Sequence, residues 1–533
     1  MAIRMNRREF VEGAGALLAA GSGAGAAAGP LPADTTLRQP GQGGEFDVVE
    51  QSLAALSRAQ TDGRASAESL TRAYLHRIDL YDRAGPRLGA VLALNPDALA
   101  AARALDDARR AGKLRGPLHG IPLLLKDNIE TRDPLPTTAG SLALATARHA
   151  ADAPVAARLR AAGAVVLGKS NLTEWANFRS SRSVSGWSGV GGQTRCPYDP
   201  TRNPSGSSAG SAAGTAANLC AAAIGSETDG SVLAPASINS LVGVKPTVGL
   251  VSGVGVVPIT TRQDTTGPLA RSVGDAALLL SVMAEPAVKW DGIAALESPP
   301  AGLRLGVLQP PPSTHPEVLR QLQDWLKLLE REGFTLIDIA EPPGWPTLLD
   351  DEFEVLLYDF KADLNAYLAR FNGSLPVRTL ADLIEFNNQH AAAEMPFFGQ
   401  ELFLQSEKCG PRTSPAYLKA LRHITDVADG HGLGAIFAHY QVDALVASGN
   451  GPAELIDHVW GDHYENSGGW PPMCSAAAVA GYPSLTVPAG FVAGLPVGIH
   501  FVAPRFCDGR LLQVGRSFER ARAARQPPQL PSG

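Results

Sequence analysis

The chain has 533 residues, is 45% hydrophobic and 18% charged, and carries a net charge of −6. That is enough apolar material for a large buried core, and 46 basic against 52 acidic residues, with no basic stripe interleaved with aromatics, exclude a nucleic-acid-binding face. Cys196, Cys220, Cys409, Cys474 and Cys507 stand far apart, with no CxxC or Cys/His grouping, so no metal site is implied and an odd thiol is left over.

The chain opens on a leader. Arg7-Arg8 followed by Phe10 precede a Gly/Ala-rich stretch and the small residues Ala26-Ala-Ala28. A charged start, a weakly apolar middle and a small-residue cleavage site form an export signal, here of twin-arginine type, over 1–33. The middle is too short and Gly-rich to span a membrane, and no other run approaches ~20 apolar residues. The expected product is periplasmic or secreted, with the export machinery as partner of the leader. Residues 34–46 are Pro/Gly-rich and polar, a linker.

Helix and strand patterns then alternate. Asn95-Pro96 predicts a helix start, with an Ala-rich helix ending near Gly112. Leu118–Leu125 predicts a buried strand. Asp152 predicts a cap for a helix with Val155, Leu159 and Ala162 on one face, stopped by Gly163. Val165–Leu167 predicts the next strand. Residues 180 to 231 are rich in Gly and Ser, but Trp187, Tyr198 and a helical run over Ala209–Ile224 argue against disorder. Past 300 come a strand over Leu303–Leu308, a helix with Val318, Leu322, Trp325 and Leu329 on its apolar face, and a strand over Phe334–Ile339. Residues 345–440 read as mostly helical and polar, a variable region over the site. Ala444–Ala447 and Leu485–Val487 predict strands, and Leu495–Phe501 a hairpin arm after a turn at Gly490. The alternation predicts an α/β fold with helices on both faces of a sheet.

Three segments carry chemistry. Lys126 ends the apolar run Gly120-Ile-Pro-Leu-Leu-Leu-Lys126. Ser207 lies in Asn203-Pro-Ser-Gly-Ser-Ser-Ala-Gly-Ser211, and Ser231 closes Gly225-Ser-Glu-Thr-Asp-Gly-Ser231. Amide cleavage needs a nucleophile, a base, donors for the oxyanion and an acid for the leaving nitrogen. No histidine lies near the serine motifs. Lys126 can act as base if it is neutral, and burial among leucines lowers a lysine pKa from ~10.4. The bland reading of Lys126 is a lysine snorkelling at a strand end. Ser205, Ser207, Ser208 and Ser211 read equally as helix N-caps, with Ser208 or Ser211 expected in that role.

Together these segments resemble the amidase signature family, whose members use a Ser-Ser-Lys triad. The resemblance runs from about Asp47 to the C-terminal region. It includes Gly163-Ala-Val-Val-Leu-Gly-Lys169-Ser-Asn, Gly191-Gly-Gln-Thr-Arg195, Gly243-Val-Lys-Pro-Thr247, Gln263-Asp-Thr-Thr-Gly-Pro268 and Ala480-Gly-Tyr-Pro-Ser-Leu-Thr-Val-Pro488. Glu174-Trp-Ala-Asn-Phe-Arg179 and Ser185-Gly-Trp187 look most like bacterial peptide amidases. The resemblance implies one large α/β domain over 47–525 around a mixed central sheet. It makes Ser231 the nucleophile, Ser207 the bridge to Lys126, and the backbone N–H groups of Thr228, Asp229, Gly230 and Ser231 the oxyanion donors. In the family the bridging serine follows a cis peptide bond, here Gly206–Ser207. Asp229 reads as a catalytic acid or, preferably, as a residue orienting its loop.

Two other motifs compete. Gly206-Ser-Ser208-Ala-Gly210 fits the nucleophile elbow of α/β-hydrolases, with Ser208 as nucleophile and a histidine from His390, His458 or His500, but no strand precedes it. No Gly-rich stretch ends as a P-loop or continues as a dinucleotide fingerprint. The expected activity is hydrolysis of a carboxamide to carboxylate and ammonia, without cofactor, on C-terminal peptide amides or amino-acid amides. Other readings are an aryl or aliphatic acylamidase or esterase, the glutaminase subunit of a tRNA amidotransferase, which the leader argues against, and an inactive binding homologue.

Overall fold

The computed structural model describes residues 46–310, 314–371, 375–463 and 472–530. The expected leader over 1–33, and the linker up to residue 45, lie outside the described residues. Apolar and small-residue runs bounded by glycine form the strands β1 (Val91–Leu94), β2 (Pro122–Lys126), β3 (Val165–Ser170), β4 (Trp187–Ser188), β5 (Gly192–Gln193), β6 (Ala222–Glu227) and β7 (Val242–Lys245). They continue with β8 (Thr265–Ala270), β9 (Arg304–Leu308), β10 (Thr335–Ile339), β11 (Ala444–Ser448), β12 (Ser484–Val492) and β13 (Leu495–Val502).

All except β4 and β5 join one sheet of 11 strands, in the order β1-β3-β2-β6-β8-β7-β12-β13-β11-β9-β10. β3, β2 and β6 run parallel, as do β11, β9 and β10, while β6 to β13 pair antiparallel through β8, β7 and β12. β2, β3, β6, β7 and β8 are buried at every position, the condition of strands covered on both faces. The result is the single large α/β domain expected, a mixed sheet packed by helices.

Boundaries differ from the sequence reading for local reasons. The helix after β1 is Ala98–Arg110, because the Asn95 side chain accepts from the Asp97 N–H and forms a turn first. Asp152 does not cap helix Pro154–Ala161; its carboxylate takes Arg160 and the N–H of Arg132 instead. The strand expected from Leu118 starts at Pro122 and includes Lys126. The run Ala209–Ile224 divides into helix Ala209–Ala216, a turn and β6. The turn between β12 and β13 falls at Ala493-Gly494, both at positive φ, and Gly490 is instead where the β12 register slips.

Residues 345–440 form helices, chiefly Leu348–Ala369, Leu380–Gln389, Glu401–Lys408 and Pro415–Thr425. Helix Leu348–Ala369 packs on the sheet domain through aromatic contacts. Phe360 stacks on Phe403 at 5.3 Å, Phe403 meets Trp175 edge-on at 6.0 Å, and Phe178 packs on Phe360 at 5.1 Å. The segment they grip is strained. Trp175, Ala176 and Asn177 have φ of 51°, 53° and 75°, a left-handed run that costs about 1–3 kcal/mol per residue. Buried Arg179 braces it, with Nε 3.1 Å from Glu174, Nη1 donating to the Glu394 carbonyl at 2.6 Å, and the guanidinium over the Phe398 ring.

Candidate active site

The site grows from the carboxyl ends of two parallel neighbours, β2 and β6, where open α/β sheets place their ligands. Lys126 is the last residue of β2, and β6 runs directly into Thr228–Ser231. Helix Ala209–Ala216 brings the third segment in. It contains only Ala, Gly, Ser and Thr, and all of it is buried, so its backbone lies close against the sheet. A Cβ on Gly210 would stand 2.3 Å from the Ala90 carbonyl oxygen, and one on Gly206 would stand 2.4 Å from Pro235.

Lys126, Ser207 and Ser231 come together. Lys126 is fully buried, and its Nζ donates to Ser207 Oγ at 2.6 Å, to Ser226 Oγ at 2.9 Å and to the Ser226 carbonyl at 3.1 Å. Burial pulls its pKa down to about 7, against the opposing pull of the Asp264 and Glu227 carboxyls. Ser231 Oγ accepts the backbone N–H of Ser207 at 3.3 Å. Ser226 was not singled out from the sequence. Its hydroxyl accepts from both Lys126 and Asn128 Nδ2, the latter at 2.8 Å. Only the pairing of β2 with β6 puts it there, and nothing in the local sequence announces that pairing.

The Gly206–Ser207 bond is trans; the described residues contain no cis peptide. The chain turns instead through Ser205 and Gly206, both left-handed at φ 62° and 57°. Ser208 occupies the N-cap position but makes no capping bond, and Ser211 is within the helix. Ser208 Oγ donates to the Ser226 carbonyl at 3.0 Å, and Ser211 Oγ lies 2.7 Å from Ser170 Oγ. These hydroxyls tie the helix to the strands. Ser208 is buried and follows no strand, so the elbow geometry is not formed. His458 stacks on Phe397, His390 on Phe386, and His500 lies 3.2 Å from Cys474. Burial pushes the Cys474 thiol up and His500 down to about 3, so the charged form of each is disfavoured.

The loop after β6 is held from behind. Glu227 accepts from the N–H groups of Val232 and Leu233, Thr228 Oγ1 donates to Asp264 at 2.6 Å, and Ser475 Oγ donates to Asp229 at 2.6 Å. Gly230, at φ 80°, lets the backbone turn between Asp229 and Ser231. Asp229, Gly230 and Ser231 line a cleft of about 480 Å³ whose other walls include Asn177, Leu349, Glu352, Phe353, Glu454 and Asp462. Thr228 is not among the lining residues. Two further lysines, Lys169 and Lys245, are also fully buried, but they donate to Thr137 and the Ile129 carbonyl, and to the carbonyls of Tyr482 and Pro246. Of the three, Lys126 alone ends on serine hydroxyls.

The amidase family model matches residues 69–512. The chain belongs to the amidase signature family. Peptide amidase from Stenotrophomonas maltophilia is 45% identical, with a TM-score of 0.85 over 90% of this chain and 99% of that one. A probable amidase of Arabidopsis thaliana is 38% identical over 91% of this chain and 92% of the relative. A putative amidase of Schizosaccharomyces pombe is 32% identical over 89% of this chain and 85% of the relative. This amidase is a hydrolase of the carbon–nitrogen bonds of linear amides.

Proposed function

We propose that the enzyme hydrolyses terminal carboxamides, on peptides or amino acids, through an acyl-enzyme on Ser231. The observation that carries this is a buried lysine with a pKa near neutrality, donating to a serine whose own N–H touches a second serine in the cleft. Neutral Lys126 takes the Ser207 proton as Ser207 takes that of Ser231, and Ser231 Oγ attacks the carbonyl carbon. The N–H groups of the 228–231 loop receive the oxyanion, with Gly230 allowing close approach. The proton returns along the same path to the leaving nitrogen, ammonia departs, and water repeats the sequence to free the acid. Likeness to a peptide amidase supports the peptide amide as substrate.

The test is ammonia release from a C-terminal peptide amide, an aliphatic amide, an anilide and free glutamine. The peptide amide should turn over fastest, with internal peptide bonds spared. Ser231→Ala should lose on the order of 10⁴-fold or more, and adding Lys126→Ala should cost little beyond that, because the groups act as one unit. A preference for glutamine, or cleavage of internal bonds, would sink the substrate assignment. Near-normal turnover by Ser231→Ala would sink the mechanism.

A further inference from the structure

Helix Leu348–Ala369 turns one face to the cleft. Leu349, Glu352, Phe353 and Leu356 all line it, at the spacing of a single helical stripe. Three are apolar, and Leu349 and Phe353 remain 53% and 37% exposed with no substrate present. Four carboxyl groups join neutral Asn and Ser side chains in the polar lining. The loop after β11 contributes Glu454 and Asp462, and Asp229 and Glu352 add a hydrogen-bonded pair beside Ser231. No lysine, arginine or histidine lines the cleft among the described residues.

Neutral donors from the described residues reach these carboxyls. Asp462 accepts from the N–H and hydroxyl of Ser185 and from the Asn203 amide, Glu454 from the His463 N–H, and Glu352 from Gln263 Nε2 at 2.7 Å. The cationic groups beside them are already engaged: the His463 ring is paired with Asp457 at 2.9 Å, and Arg202 lies 3.0 Å from Asp199 and donates to the Ala453 carbonyl at 2.5 Å. Burial, then the neighbouring Asp229, push Glu352 well above the usual carboxylate range, so its charged form is disfavoured beside Asp229.

We propose that the cleft selects its amide by charge, taking a C-terminal residue with a long cationic side chain and rejecting an acidic one. An arginine or lysine side chain is an apolar stem with a charged head. The stem lies along Leu349, Phe353 and Leu356, and the head reaches Glu454 and Asp462. Norleucine fits the stem alone. Glutamate, or the α-carboxylate of free glutamine, meets like charge. This rests on the amidase reading of the cleft and names the class of acyl group within it.

The test compares N-acetylarginine amide, N-acetylnorleucine amide and N-acetylglutamate α-amide. Binding is measured calorimetrically on the full chain with Ser231→Ala, so that no turnover is needed, and kcat/KM on the unaltered enzyme. Affinity should fall in the order arginine, norleucine, glutamate, with the spread shrinking as salt rises. Glu454→Gln should narrow the arginine-to-glutamate ratio by roughly three- to tenfold, from Coulomb interaction at cleft distances and dielectric. Asp462→Asn repeats the test if Glu454→Gln does not fold. Equal binding of the three amides overturns the proposal, as does a ratio untouched by either variant. Ordered binding without ammonia release from any amide would instead count against the hydrolytic mechanism.

Discussion

Burial decides what Lys126 can do. A lysine in water is charged at neutrality; this one titrates near pH 7 because its ammonium has been taken out of water. Below that pH the amine holds a proton and cannot accept another, so kcat/KM on a peptide amide should rise through about pH 7 and then level. Lys126→Arg should be as inactive as Lys126→Ala, since guanidinium stays protonated, and each loss should reach about 10²–10⁴-fold or more. Ser226→Ala probes the same base. Removing an acceptor that favours the ammonium should move the acid limb to lower pH, and leaving Asn128 without that partner should cost about 1–3 kcal/mol of stability. A limb that stays fixed in Ser226→Ala, or normal turnover in Lys126→Arg, would remove lysine from the mechanism. That Lys126, Ser207 and Ser231 meet was legible because each belongs to a distinctive local motif. Ser226 and Asn128 were not, because what recruits them is strand pairing across the chain.

At the scale of elements, a tight constraint beside the site is where helix Ala209–Ala216 meets the sheet. A methyl at Gly210 would collide with backbone atoms of Ala90 and Asn171, which cannot swing aside. Gly210→Ala should therefore destabilise by about 1–3 kcal/mol despite alanine's better helix propensity. Gly214 lies one turn on, and its Cβ would meet only Leu124 Cδ1 at 3.3 Å and Ala90 Cβ at 3.7 Å. Gly214→Ala should be neutral or stabilising by up to ~1 kcal/mol. Denaturant midpoints of the two variants check this, and equal effects would refute it. The same stretch shows why sequence misread this region. Ala209 to Ile224 is mostly small residues with no clear period, so helix and strand look alike, and only Ala217–Ala221 turning back onto β2 divides them. Elsewhere the strand-helix-strand pattern from Leu303 to Ile339 was readable, because an amphipathic helix such as Pro316–Arg331 shows its period plainly.

The whole molecule buries charge of both signs, and stability must follow pH accordingly. Lys126 and Lys169 have folded pKa values pulled to about 7 and about 8. Their contribution is complete above the unfolded lysine value and is lost progressively as pH falls from there to the folded ones. Asp82, Asp127, Asp264 and Asp508 are pushed up to between about 6 and about 7, so their contribution is lost as pH rises through that range. Cys196 and Cys220 are pushed up to about 11, so their contribution begins to fall above the ordinary thiol value near 9. Between pH 7 and 9 the lysines add up to about 1.4 kcal/mol per pH unit each, while Glu174 and Glu352, pushed well above the ordinary carboxylate range, pull the other way. Lys126→Met should therefore make Tm climb less, or fall more, from pH 7 to 9 than in the unaltered chain; identical pH slopes would contradict this account.

The left-handed turn at Trp175–Asn177 and the cleft beside it draw on both halves of the chain. Lys126, Ser207 and Ser231 all precede residue 232, yet the aromatic partners that grip the turn, and Glu352, Glu454, Asp462 and Ser475 around the cleft, come from the second half of the chain. A chain grown only past Ser231 holds Lys126, Ser207 and Ser231 but lacks the far wall of the cleft and the aromatic grip on the Trp175–Asn177 turn. Translation thus supplies the three side chains first and the walls around them last.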